Sequence, residues 1–263
     1  MNHAISGAAA WVAVTGAAPL LATGVYPLDP IGVVVGATVC AGAALLPDAD
    51  HHSATISRSV PVLGPLTARL VGALSGGHRH GAHSPVGVLV VAAAAWALTV
   101  FTVAVEPIGG FDPGTVAIGA GLGTAALTAF ALKARDLVDS WIAAWLAGVA
   151  LGLFIVVFAP EQIAWFPLAV TLGFVAHLAG DALTTGGLPG LFWPWVPRPP
   201  DIVDDIPVLN RLWLQNGYVA LPILGDTGSW REKAFGGLLT LYCTLGLGYE
   251  VLRGVGLDRY FAG

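Results

Sequence analysis

The chain has 263 residues, 56% of them hydrophobic and only 10% charged, with a mean hydropathy of +0.78, whereas an ordinary soluble domain is about a quarter charged. Those figures exclude a soluble domain and a disordered chain, and the two cysteines, Cys40 and Cys243, each inside an apolar stretch, exclude a disulfide scaffold. The net charge of -5, from 16 acids and 11 bases with no long like-charge run, offers no face to nucleic acid.

A bilayer core takes about 20 apolar residues as helix, and a central Asp, Lys or Arg costs roughly 2.5 to 3.5 kcal/mol, so charge-free runs mark the spans. Runs at 4–25, 30–46, 86–105, 115–132, 141–159, 163–180 and 235–252 predict an all-α integral membrane protein. The expected architecture is a polytopic bundle of about seven transmembrane helices, forming a single membrane-embedded domain over 1–263. No Lys or Arg precedes the first run, so it reads as a helix of the mature protein and not as a signal peptide. The 35 glycines suit close helix packing in lipid.

Threading seven spans puts the N-terminus, the loops at about 47–83 and 181–234, and the 133–140 turn on one side. Arg58, Arg69, Arg79, Lys133, Arg135, Arg198, Arg211, Arg231 and Lys233 share that side, leaving only Arg253 and Arg259 opposite. The positive-inside rule makes it cytoplasmic. A stretch rich in aromatics and helix breakers, 186–195, is expected in the membrane interface.

All seven histidines fall on the same predicted side, and several stand beside carboxylates. In chain order, His3 begins the first span, where by itself it reads as a polar residue at the membrane surface, with a ligand role as the minority reading. Asp48, Asp50 and His51 follow Pro47 at the end of the second span, an arrangement that also suits a capped turn; His52 beside them is given no role. His78 and His83, five apart in a Gly-rich turn, have spacing that resembles metal-ligand spacing, and Arg79 between them suits an anion clamp. His80 has no obvious place. His177 and Asp181 are four apart, hence on one face of a helix at a membrane edge, where ionisable groups are costly. Ser229 and Glu232 fit a capping box, which accounts for both without chemistry.

Taken together, Leu-Pro-Asp-x-Asp-His at 46–51, His-Arg-x-x-x-His-Ser at 78–84, His-x-x-x-Asp-x-x-Thr at 177–184 and Trp-Pro at 193–194 resemble the YdjM family of membrane-bound, metal-dependent hydrolases. His3, and Leu-Pro-Ile-Leu at 221–224 followed by Gly228 and Glu232, resemble its first and last short motifs. The resemblance covers roughly 1–85 and 165–235. It implies metal ligands or catalytic acids at Asp48, Asp50, His51, His78, His83, His177 and Asp181, with His3 and Glu232 as further members. Two departures stand out: Ala82 replaces the family's usual Thr before His-Ser, and 106–160 matches no motif.

The expected function is therefore hydrolysis of a phosphoester or other ester at the cytoplasmic membrane face. One or two divalent ions, zinc first and manganese second, would be held by His3, Asp48, Asp50, His51, His78, His83, His177 and Asp181, with Arg79 and Glu232 as catalytic groups. The bilayer is the expected partner and an amphiphilic or lipid-linked molecule the expected substrate. Competing classes are a metal-ion or proton transporter, since intramembrane His and Asp also mark ion paths, and a non-enzymatic scaffold.

Overall fold

The computed structural model describes residues 3–107, 113–189 and 193–257, and they are mostly helical. Seven apolar helices match the predicted runs: α1 (His3–Thr15), α2 (Pro30–Ala43), then α4 (Pro85–Val100), α5 (Ile118–Ala134), α6 (Trp141–Phe158), α7 (Phe166–Ala182) and α9 (Trp230–Gly254). Between them lie α3 (Leu63–Ser75) and a one-turn α8 (Leu209–Leu212). Four segments are long and apolar enough to cross a membrane: Pro30–Asp50, Trp141–Phe158, Pro160–Ala182 and Trp230–Gly254. The helices α1, α4 and α5 are shorter. Two predicted pieces, 190–192 of the aromatic stretch and Arg259 of the tail, lie outside the described residues.

The helix starts follow local chemistry. Asp29 accepts from the Gly32 N–H ahead of α2, Ser84 caps α4, Ser140 caps α6 and Ser229 caps α9, with Pro30 and Pro85 in first turns where no N–H is missed. Helix α1 stops at Thr15, not Val25, because Gly16 and Pro19 interrupt an otherwise apolar run. A hairpin of two short strands, β1 (Val103–Ala104) and β2 (Thr115–Val116), pairs Val103 with Val116 and links α4 to α5.

The segment that contains α2 is the most buried of the four long enough to cross a membrane. It packs between α1, α5 and α7, and small residues set how closely they approach. A Cβ at Gly7 on α1 or at Gly173 on α7 would strike the Cys40 carbonyl, so both neighbours lie directly against the α2 backbone.

The two ends of the bundle differ. At one end Gln162 donates to Asp29 at 2.5 Å, while buried Glu250 accepts from the Ala17 N–H at 2.6 Å and pairs with Arg253 at 2.8 Å. The other end gathers the start of α1, the turn after α2, the loop before α4 and the end of α7. That segment, 47–83, contains α3 where the sequence predicts plain loop. Leu63, Leu66, Leu70 and Leu74 recur on one face of α3 and stay exposed, the pattern of a helix lying along a membrane surface.

Candidate metal centre

Helix α7 carries His177 and Asp181 one turn apart on its last two turns, both buried, with His177 Nε2 3.5 Å from Asp181 Oδ2. The His177 Nδ1 lies 2.7 Å from the Ala44 carbonyl at the end of α2. A carbonyl only accepts, so Nδ1 carries the proton and the Nε2 lone pair is left for an electrophile, the tautomer that a backbone-oriented metal ligand needs.

Three further segments converge on that atom. Beyond α2, Pro47 opens a short 3-10 turn, Pro47–Asp50, which projects Asp48 and Asp50. A second turn, Gly81–His83, buries His83 completely, and its Nε2 stands 3.3 Å from His177 Nε2 and 3.6 Å from both Asp48 Oδ1 and Asp181 Oδ2. Asp48 Oδ1 is 3.8 Å from His177 Nε2. From the first helix, His3 stacks on the His177 ring at 3.6 Å and points its Nε2 at Asp181 Oδ1, also 3.6 Å away.

These separations fit a shared cation. Donors bound at about 2.0–2.3 Å stand roughly 3–4 Å from one another, which is farther than a good hydrogen bond and closer than unrelated side chains. Asp181 Oδ2 is buried and accepts no hydrogen bond, an arrangement that is costly unless a positive group faces it. Among the described residues three groups have ligand atoms close enough to hold an ion: His3, Asp48 and His177; Asp48, His78 and His83; and His83, His177 and Asp181. Asp48, His83 and His177 each belong to two of them, so one or two ions suit the cluster.

Around this core the carboxylate of Asp50 orients its neighbours. Its Oδ1 pairs with His78 Nδ1 at 2.7 Å, and its Oδ2 accepts from the Arg79 N–H at 3.1 Å and lies 3.4 Å from His83 Nδ1. A carboxylate behind an imidazole fixes ring orientation and raises basicity. Burial alone would lower the basicity of His83, but the carboxylates of Asp48 and Asp50, with Asp181 beyond, push it up to about 9.

Arg79 donates from Nη2 to Asp181 Oδ1 at 3.2 Å and has a left-handed backbone, φ 58°, uncommon for a residue with a side chain. Asp50 grips its N–H and Tyr218 donates to its carbonyl at 2.7 Å, so neighbours on both sides hold the conformation. Gly76 and Gly77, at φ 82° and 113°, make the turn leading into it.

Of the residues singled out from sequence, the structure brings together His3, Asp48, Asp50, His78, Arg79, His83, His177 and Asp181. His51 and Glu232 stand apart from the three groups. The ring of His51 is 4.8 Å from that of His78, and its Nδ1 accepts from the Ser53 backbone at 3.2 Å. Glu232 accepts from the Gly228 N–H while Ser229 caps its own N–H, so it is committed at the start of α9 as the capping pattern predicts. Sequence reasoning misses Tyr218, which sits in an Asn-Gly-Tyr turn with no local mark of its partner 139 residues away. A cavity of about 570 Å³, lined by His3, Asp48, His51, Ser53 and His78, opens beside the cluster and admits a polar group to it.

No curated protein and no solved structure gives a match to this chain. The family model described as YdjM inner membrane protein matches residues 1–253, a span that includes the 106–160 stretch with no recognisable motif. With nearly its whole length matched, the chain is a member of the YdjM family.

Proposed function

We propose that the protein is a metal-dependent hydrolase acting on a phosphoester or other ester at the cytoplasmic face of the membrane. The observation that carries this reading is the convergence of two imidazole Nε2 atoms and two carboxylates, within 3.3 to 3.8 Å, beside an open polar cavity. A bound divalent cation would supply a water of pKa near 7 and polarise the ester under attack. Zinc suits the mixed nitrogen and oxygen donors best, and manganese second.

His83, His177, Asp181 and Asp48 would hold the ion, with either His3 or His78 completing a second position beside Asp48. Asp50 orients His78 and His83. Asp48, a third exposed and lining the cavity, reaches the ion from the open side, and Glu232, a carboxylate outside the ligand set, is the proposed general base. Arg79 steadies Asp181 and stands ready to clamp an anionic substrate. The transport reading is less favoured, since α4 and α6 contain no Asp, Glu, Lys, Arg or His and α5 only Lys133 near its end.

The reading is tested by turnover of bis-p-nitrophenyl phosphate and p-nitrophenyl esters by purified protein loaded with zinc or manganese. Metal-dependent release of nitrophenol is expected, and metal-loaded protein inert toward the whole panel would sink the hydrolase reading. We further propose seven spans, with the centre and nine of the 11 bases inside. Single cysteines at Arg58, Arg198 and Glu106 should react with an impermeant thiol reagent in intact cells only at the last; labelling at Arg198 but not Glu106 reverses the orientation.

A further inference from the structure

A second cavity, about 550 Å³, lies on the other side of the two turns that carry the centre. The turn Pro47–Asp50 sends Asp48 and Asp50 to the ion cluster and Ala49 into this cavity; the turn Gly81–His83 sends His83 to the cluster and Gly81 and Ala82 into the cavity. The polar centre and the second cavity therefore share a wall one residue thick.

The chemistry of the lining is one-sided. The apolar faces of α3 and α4 and the segment just before α3 form most of it, with Phe130, Trp145, Phe174 and Trp193 as its large side chains. Its three hydroxyls are committed: Ser59 and Thr67 donate to Ile56 and Leu63 carbonyls, and Ser75 to Gly72 and Gly77. The Trp145 indole N–H is satisfied by the Ser59 carbonyl at 3.0 Å. The lining thus offers little to a polar ligand, while the volume falls within the roughly 300–1,000 Å³ of ordinary ligand sites. At the rim, exposed Leu63, Leu74 and Val90 run into the leucine face of α3 and the outer face of α4, both open to lipid. At the inner end Gly81 lets the Trp193 ring lie directly against the turn, because a Cβ there would meet it at 2.7 Å.

We propose that this cavity holds the hydrocarbon tail of a membrane lipid whose phosphoester headgroup is presented to the His/Asp centre. The proposal rests on the hydrolase reading for what happens to the headgroup, but not for the tail site itself. The occupant is a lipid with a phosphate at one end, one long hydrocarbon chain of which fills the cavity: that chain enters laterally between α3 and α4, and the shared wall sets the phosphate beside Asp48 and His83. Diacyl lipid and polyprenyl phosphate offer the same chemistry, and two probes separate them.

The full chain, reconstituted in phosphatidylethanolamine vesicles, is irradiated with a phosphatidic acid bearing a mid-chain diazirine and, separately, with a polyprenyl phosphate bearing a benzophenone, and adducts are mapped by mass spectrometry. Adducts from either probe on Val71, Val91, Trp145 or Trp193 are expected, and the probe that labels identifies the source of the chain. Val71→Trp or Val91→Trp should reduce these adducts by about tenfold, equivalent to excluding roughly two methylenes. Neither residue touches the ion cluster, so metal content and turnover of water-soluble bis-p-nitrophenyl phosphate should be unchanged. Adducts confined to Leu66 and Leu70, indifferent to both variants, would overturn the proposal, and the adduct positions on the wild type suffice to overturn it if a variant fails to accumulate. A chain-to-chain adduct through the cavity in place of lipid would overturn it equally, in favour of self-association. Cavity labelling without any turnover would leave the tail site standing and remove the hydrolase reading instead.

Discussion

His177→Ala and Asp181→Ala should each strip the bound cation and lower turnover by more than about 100-fold, and the double variant should be little worse than either. Loss of even an outer partner of a metal ligand typically costs 10–100-fold, and groups that act as one unit are strongly non-additive. The geometry explains why they form a unit: the two side chains sit one helical turn apart, 3.5 Å from each other and within 3.6 Å of His83 Nε2. His52→Ala, on an exposed residue outside the three ligand groups, should leave metal and turnover near wild type. Metal content is read alongside folded yield, because the same pair also ties α7 to α2 through the Ala44 carbonyl. Single variants that lose yield while the surviving protein keeps its metal and full turnover would reduce the pair to a packing contact.

Chelation should have the second large effect. A ligand that binds only the folded state stabilises it by about 4 kcal/mol at a thousand times its dissociation constant, which for a chain of this size is on the order of 10 °C in Tm. Chelated protein should therefore melt about that much lower in detergent and recover when zinc is restored. The pH profile gives a separate handle. In the metal-free protein His83 is held up to about 9, above its ordinary value of about 6.5. A raised histidine contributes stability that is complete below about 6.5 and is lost as pH rises through about 9. The metal-free Tm should therefore fall across that window, whereas the metal-loaded protein, with its imidazoles already neutral, should lack this loss. Equal melting with and without chelator at every pH would contradict both expectations.

Much of this molecule is legible in its sequence, for physical reasons that differ from place to place. Runs with little or no charge find the seven apolar helices of the described residues because lipid disfavours charge, with Glu250 in the last as the exception, yet hydropathy overruns α1, where Gly16 and Pro19 end the helix while the residues stay apolar. Helix α3 is hidden for the opposite reason. Gly64 and Pro65 read as a loop, although Leu63, Leu66, Leu70 and Leu74 already repeat at helical spacing. At the centre, His177 and Asp181 are legible together because helical periodicity puts them on one face. The pairing of Asp50 with His78 and of Arg79 with Asp181 is not, since those contacts span 28 and 102 residues and depend on how helices pack. The same holds for His51 and His3: adjacency to Asp50 favours the first, but the turn carries it aside to Ser53, whereas stacking of α1 on α7 brings the second in.

The most direct test is elemental analysis of the chain purified without chelator, together with Asp181→Ala prepared in parallel. At least one equivalent of a divalent cation, zinc or manganese, should accompany the wild type and be absent from the variant. Wild-type protein that is folded, free of metal and unable to take up zinc or manganese on titration would contradict the metal centre.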